Sequence, residues 1–294
     1  MIGFSHRNLS PAGPSPLVQP LRLVDVPRLR LGWSSRFDAE EIEHLLRAEP
    51  GLGLWVPETG EYVVGGAWRH RQEVAAVVEL SATANAPELL AALADAAEQL
   101  GKRLVIASEH AETRRRAFYD SAGYELVEEI LIYELTRVGA SPVAPADPRF
   151  ERVDADDEAT LAELIALDHA AFPWLWWNSR EEFDNYGQSP GVEIYLGRDQ
   201  EGRAVSYVGV TRFRTWGHLD RIAVAPDLRG QGLGLRSLEW AVATLSAASA
   251  RRIGLSTQAR NSVSRRLYER FGFRRVPSQD YSLYGRWLGD GRQA

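Results

Sequence analysis

The segment Arg229-Gly230-Gln231-Gly232-Leu233-Gly234 constrains the fold more than any other part of this chain. An apolar run, Leu219 to Val224, and a turn at Pro226-Asp227 precede it, and a helical pattern from Leu235 to Ala248 follows. The order is strand, glycine-rich loop, helix. Glycine admits positive φ and leaves no Cβ in the way of an approaching ligand. The first amide groups of a helix have no partner within it and carry the positive end of its dipole. A loop of this kind holds phosphate oxygens, so the segment is read as a grip for a pyrophosphate.

Two common phosphate loops do not fit. A dinucleotide fold requires G-x-G-x-x-G, and a P-loop requires Lys after its glycines. The pattern R-x-x-G-x-G after a strand ending in Val224 is followed by Asn261 and by Tyr268-Glu269-Arg270-Phe271-Gly272-Phe273. The two motifs, in this order and about thirty residues apart, resemble those of the GCN5-related N-acetyltransferase (GNAT) superfamily. The resemblance implies an α/β (α+β) fold with a mixed, mostly antiparallel sheet flanked by helices. It also implies acetyl-CoA as co-substrate, with no metal.

The chain has 294 residues, enough for two domains of ordinary size. Its net charge of −6 argues against non-specific nucleic-acid binding, and equally reads as a charge that serves solubility. Without cysteine there is no disulfide, thiolate metal site or cysteine nucleophile. No run approaches eighteen apolar residues, and the N-terminus does not read as a signal peptide. A cytoplasmic protein without membrane or nucleic-acid partners is therefore expected.

Residues 1–16, rich in Pro, Ser and Gly, read as a flexible tail. Leu17 to Val26 reads as a first strand, and Asp38 as the N-cap of a helix carrying Ile42, Leu45 and Leu46 on one face. Pro87 to Leu100 is a helix with Pro at its start and Gly101 past its end. Residues 139–149, with three prolines among small residues, read as a linker. After it the order of elements repeats. Tyr119 and Tyr268, Gly123 and Gly272, Arg103 and Arg252, and Val127 and Val276 all lie 149 residues apart. The same spacing carries Arg229–Gly234 onto Leu80–Asn85, where no glycine stands, and Asn261 onto Glu112. The expected division is thus a degenerate domain at 17–138 and an acetyl-CoA-binding domain at 150–294. The halves can pack as an intramolecular pseudo-dimer, so a monomer is the default.

The resemblance implies roles for individual residues. The backbone of Gly230, Gln231, Gly232, Leu233 and Gly234 would hold the pyrophosphate, with Arg229 as contact or brace. Ile222, Ala223 and Val224 would pair with the pantetheine arm as with an added strand. Tyr268 matches the general acid for the leaving thiolate, and packing alone can also retain a Tyr there. Asn261 would meet the pantetheine or cap its helix. His218 and Asp220, two apart on a strand, share a face and are candidates for the base that takes the amine's proton. Asp220 reads equally as an ion-pair partner of Arg221, and His218 as a surface residue.

Trp174, Trp176, Trp177 and Asn178 lie between two helices, in a segment that lines the acceptor site in this superfamily. An aromatic wall for a small amine and a cement between the halves both fit. The function expected is acetyl transfer from acetyl-CoA to a small-molecule amine by direct attack. The alternatives are a non-enzymatic acetyl-CoA sensor and a protein or peptide N-acetyltransferase.

Overall fold

The computed structural model describes residues 17–32, 35–110, 116–138, 147–154 and 156–289. The expected tail, most of the expected linker and Glu112 lie outside the described residues. In chain order the elements are β1 (Gln19–Pro20), α1 (Ala39–Ala48), β2 (Gly53–Val56), β3 (Glu61–Trp68), β4 (Arg71–Ser81), α2 (Ala86–Gln99), β5 (Leu104–His110), α3 (Arg116–Ser121) and β6 (Glu125–Leu135). Then follow β7 (Arg149–Arg152), α4 (Glu158–Ala171), α5 (Arg180–Gln188), β8 (Val192–Arg198), β9 (Ala204–Arg212), β10 (Trp216–Val224) and α6 (Leu233–Ala247). The chain closes with β11 (Arg252–Gln258), α7 (Ser262–Phe271), β12 (Arg274–Arg275) and β13 (Tyr281–Trp287).

Two compact units result, and they do not follow the two halves of the sequence. Unit 1 is Met1–Trp68, Gln72–Val127 and Leu283–Ala294; unit 2 is Arg69–Arg71 and Glu128–Ser282. Each unit takes its sixth strand from the other half. Unit 1 has the strand order β1-β2-β3-β4-β5-β13, and unit 2 has β7-β8-β9-β10-β11-β6 with β12 added on β6. Both sheets are mixed. β4 pairs parallel with β5 and β10 parallel with β11, while β7, β8, β9 and β10 pair antiparallel in turn, as do β6 and β11. The repeat seen in the sequence is thus a repeat of topology.

Side chains alternate between the faces of each sheet. In unit 1, Leu54, Val56 and Val63 pack with Leu89, Leu90 and Leu93 of α2, while Trp55, Tyr62 and Val64 pack with Ile42 and Leu46 of α1. In unit 2, Val208, Val210 and Leu219 meet Leu238 and Leu245 of α6, and Ile194, Leu196 and Tyr207 meet Leu161 and Leu164 of α4. Asp38 caps α1 as expected: its carboxylate accepts the Glu41 amide at 2.9 Å, and Glu41 returns the bond at 2.8 Å. The expected strand from Leu17 to Val26 shrinks to Gln19–Pro20, because a 3-10 turn at Leu23–Arg28, containing Pro27, buries Val26 against α1 instead.

One side-chain contact in unit 1 lies at the positions that the 149-residue repeat aligns with Arg229–Gly234. Glu61 Oε1 accepts the amides of Thr83 and Ala84 at 2.9 and 3.2 Å, and Oε2 accepts the amide and side-chain nitrogen of Asn85, the N-cap residue of α2, at 3.0 and 2.7 Å. Burial pushes the Glu61 pKa up, but these bonds from Thr83 and Asn85 outweigh it and hold the group at about 2. A folded-state value below the unfolded one stabilises the fold above pH ~4.5, and this contribution is lost as pH falls through about 2. It is worth roughly 3 kcal/mol at neutral pH.

Candidate functional site

In unit 2 the loop after β10 makes a short 3-10 turn at Pro226–Leu228 and enters α6 through two left-handed glycines, Gly230 at φ 80° and Gly232 at φ 83°. Any side chain is strained at such angles. The amides of Leu233 and Gly234 precede the first helical bonds, which run from Leu235 and Arg236 to the Gly232 carbonyl. The Arg229 guanidinium donates to the Ala171 carbonyl at the end of α4, at 2.8 Å. A second guanidinium, unremarked in the sequence, lies over the loop. Arg236 Nη1 would be 3.3 Å from a Cβ on Gly232, and Arg236 Nε is buried with no hydrogen-bond partner among the described residues.

β10 and β11 pair from Trp216–Leu219 to Arg252–Leu255 and then separate. A bulge between Leu219 and Arg221 accompanies the split. It places the consecutive residues Asp220 and Arg221 on one face, the face of α4 and α5, as their partners show below. The opening between the strands holds two cavities. The outer, about 470 Å³, is lined by Ile222, Ala223, Val224, Arg229, Gly230, Gly234, Asn261 and Tyr268 among others. The inner, about 80 Å³, is lined by Asp220, Arg221, Trp176, Thr257 and Arg69 among others, and shares Phe172, Ile222, Gln258, Asn261, Ser264 and Tyr268 with the outer. Of the loop, Gln231, Gly232 and Leu233 stand outside both linings.

Tyr268 therefore sits where the two cavities meet. It is 5% exposed, and burial pushes its pKa up to about 12 against the hydrogen bond with Ser264, so the phenol keeps its proton at neutral pH. Asn261 caps α7, accepting the Ser264 amide at 3.2 Å, and still faces both cavities.

Asp220 is the hub of a small cluster. Its Oδ1 is 2.5 Å from His218 Nδ1, and its Oδ2 accepts from Thr211 at 2.7 Å and from the Tyr186 hydroxyl. His218 itself stands in neither cavity lining. Burial first and the Asp220 charge second raise the Tyr186 pKa, so that hydroxyl stays a donor. Arg221 does not pair with Asp220. It donates to Asp168 at 2.6 Å, to the Tyr207 hydroxyl at 2.7 Å and to the Trp176 carbonyl at 2.8 Å, with its guanidinium 4.0 Å from the Phe172 ring centroid.

The tryptophan segment is organised by three residues from the β3–β4 turn, Arg69 to Arg71, which belong to unit 2. Arg69 and His70 have φ of 52° and 50°, the conformation of a two-residue hairpin turn. Arg69 donates to Asn178 Oδ1 at 2.7 Å and lies 5.3 Å from the Trp176 ring; Arg71 lies 4.4 Å from the Trp174 ring and donates to the Trp174 carbonyl at 2.5 Å. Burial and the neighbouring Arg221 lower the Arg69 pKa to about 10, which still leaves it charged. Trp177 stacks on His169 at 4.5 Å. Of the four residues expected to form an acceptor wall, Trp176 lines the inner cavity, while Asn178 is 2% exposed and bonded to Arg69 and Arg221. Asp168, Tyr186, Tyr207, Arg69 and Arg236 had no local signal, because their partners lie far away in sequence or in the loop's own conformation.

Residues 160–273, from α4 to just past α7, match the sequence model of the Acetyltransferase (GNAT) family. No curated protein sequence matches the chain. Solved structures with a similar fold include a GCN5-related N-acetyltransferase from Sphaerobacter thermophilus, 17% identical, with 92% of this chain and 95% of that one covered at a TM-score of 0.55. A GCN5-related N-acetyltransferase from Kribbella flavida is 13% identical, with 92% and 70% covered at 0.61. A tandem GNAT protein from the clavulanic acid biosynthesis pathway is 14% identical, with 92% and 98% covered at 0.57. At these identities the likeness is one of fold. Among the described residues, no helix is long and apolar enough to cross a membrane.

Proposed function

We propose that unit 2 is the working half of an N-acetyltransferase that takes acetyl-CoA as donor and a small-molecule amine as acceptor. The observation that carries this reading is the position of Tyr268, at the junction of an outer cavity reaching the Gly230–Gly234 loop and an inner polar cavity bearing Asp220. The donor's chemistry fits the residues present. The amides at the start of α6 suit phosphate oxygens. The split edge of β10 at Ile222–Val224 offers backbone groups to an amide-bearing arm.

A thioester supplies an acyl carbon open to attack and a thiolate leaving group. As the nitrogen–carbon bond forms and the carbon–sulfur bond breaks, one proton leaves the amine and one reaches sulfur. The His218–Asp220 pair takes the first, with Asp220 holding the imidazole through Nδ1. Tyr268 gives the second. Both oxygens of Asp220 are already engaged, which favours His218 as the acceptor of the proton. Arg229 holds the loop to α4.

His218→Gln is expected to lower kcat about 10²-fold with little change in acetyl-CoA affinity. Thiol release in the presence of a panel of primary amines measures it. An unchanged kcat would remove His218 from the mechanism.

A further inference from the structure

Asp220 lies outside the strand ladder, and its carboxylate is held by side chains. Across the bulge, Leu219 pairs with Val210 and Arg221 with Gly209, so no residue of β9 stands opposite Asp220. Backbone pairing therefore does not fix where its side chain points. Thr211 reaches Oδ2 from β9 at 2.7 Å, and the Tyr186 hydroxyl reaches the same oxygen from α5. Oδ1 is left to His218 Nδ1, at 2.5 Å. Asp220 also lines the inner cavity, so its orientation sets part of what that cavity presents to an acceptor.

β9 is shaped for this arrangement. Tyr207, Gly209 and Thr211 alternate onto one face of the strand. The Tyr207 hydroxyl bonds Asp168 and Arg221, and the Thr211 hydroxyl bonds Asp220. Between them Gly209 leaves a gap, and Tyr186 fills it. A Cβ on Gly209 would lie 2.8 Å from the Tyr186 hydroxyl oxygen, and 3.3 and 3.4 Å from two carbons of its ring. A tyrosine ring is rigid, so it would have to swing aside as a whole and draw its hydroxyl away from Asp220. Burial first and the Asp220 charge second raise the Tyr186 pKa, so this donor keeps its proton. The neighbouring guanidinium does not compete for the carboxylate. Arg221 is turned to Asp168, Tyr207 and the Trp176 carbonyl. A tyrosine that only pinned α5 to the sheet would do so with its ring, which phenylalanine keeps.

We propose that Tyr186 is a positioning residue: its hydroxyl, admitted by Gly209, locks the Asp220 carboxylate so that one oxygen faces His218 and holds the imidazole in a single tautomer. The role in turnover rests on the acetyltransferase reading of unit 2; the positioning itself does not. The test compares the wild type with Tyr186→Phe, and with Gly209→Ala, which disturbs the same contact from the strand side. The nitrogen-15 shifts of the His218 ring, assigned by their absence in His218→Gln, are read at about pH 9 without substrate. The wild type is expected to show two well-separated ring nitrogens, the mark of one fixed tautomer, and each variant to bring them closer by at least about a fifth. In thiol release with a panel of primary amines, Tyr186→Phe is expected to lower kcat about tenfold and to leave both KM values within about twofold. Thermal melting checks that each variant is folded, and Tyr186→Phe alone decides should Gly209→Ala not fold. Ring nitrogens already averaged in the wild type, or equally far apart in Tyr186→Phe, would overturn the proposal, as would an unchanged kcat. A wild type that turns over no amine would count instead against the acetyltransferase reading, and the ring nitrogens would still decide whether Tyr186 holds Asp220.

Discussion

Tyr268→Phe is expected to reduce kcat about 10³-fold while leaving acetyl-CoA affinity within about threefold. The ring is held independently of its hydroxyl. It contacts Phe273 at 6.1 Å and Tyr133 at 6.4 Å between ring centroids, and those contacts survive the substitution. What is lost is a single proton donor at the junction of the two cavities. Because burial raises its pKa to about 12, the phenol is protonated throughout the working range. In the wild type, loss of that proton therefore removes no activity until pH approaches 12. Single-turnover measurement of thiol release separates the chemical step from binding. A Phe variant with wild-type turnover would show that Tyr268 packs against the cleft without moving a proton.

Asp168→Ala is expected to destabilise unit 2 by about 3–5 kcal/mol. Asp168 is fully buried, and its two oxygens receive Arg221 at 2.6 Å, the Asn178 amide at 2.9 Å and the Tyr207 hydroxyl. Burial pulls the Arg221 pKa down, but Tyr207 and Asp168 together hold it above the usual value. Removing the carboxylate leaves a largely buried guanidinium without its only charged partner among the described residues. Asp168→Asn, which keeps an acceptor but not the charge, is expected to fall between Ala and wild type. The urea midpoint of unit 2 measures both. A loss below about 1 kcal/mol for Ala would mean that Arg221 finds another partner or solvent.

Local chemistry was legible in the sequence, and long-range assembly was not. The glycine loop, the Asn261 cap and the Tyr268 helix are each written in a short run of residues, and each forms where the run predicts. His218 and Asp220 share a face because they are two apart on one strand. The bulge at Asp220 was invisible, since it depends on the register with β9, and with it the choice of Asp168 over Asp220 as partner of Arg221. The tryptophan segment stood out as unusual, but its use did not. Arg69 and Arg71 lie about a hundred residues earlier in the chain, and no local pattern points from one to the other. The exchange of sixth strands is likewise a matter of pairing, because nothing within β6 or β13 names the strand it will lie beside. Nothing in the sequence singles out Glu61, because a glutamate opening a strand has no special signature until its amide partners are known.

The central claim is that one acetyl-CoA site exists and that it lies at the unit 2 loop. Titration of the full chain with acetyl-CoA, on the wild type and on Gly232→Trp, tests it most directly. Gly232 stands at φ 83° beside Arg236, so the substitution distorts the loop and fills its approach. One binding event in the wild type, abolished in the variant, is the predicted result. Two events, or one that survives the substitution, would place a donor site in unit 1 and contradict the claim. No binding to the wild type would contradict the acetyltransferase reading itself.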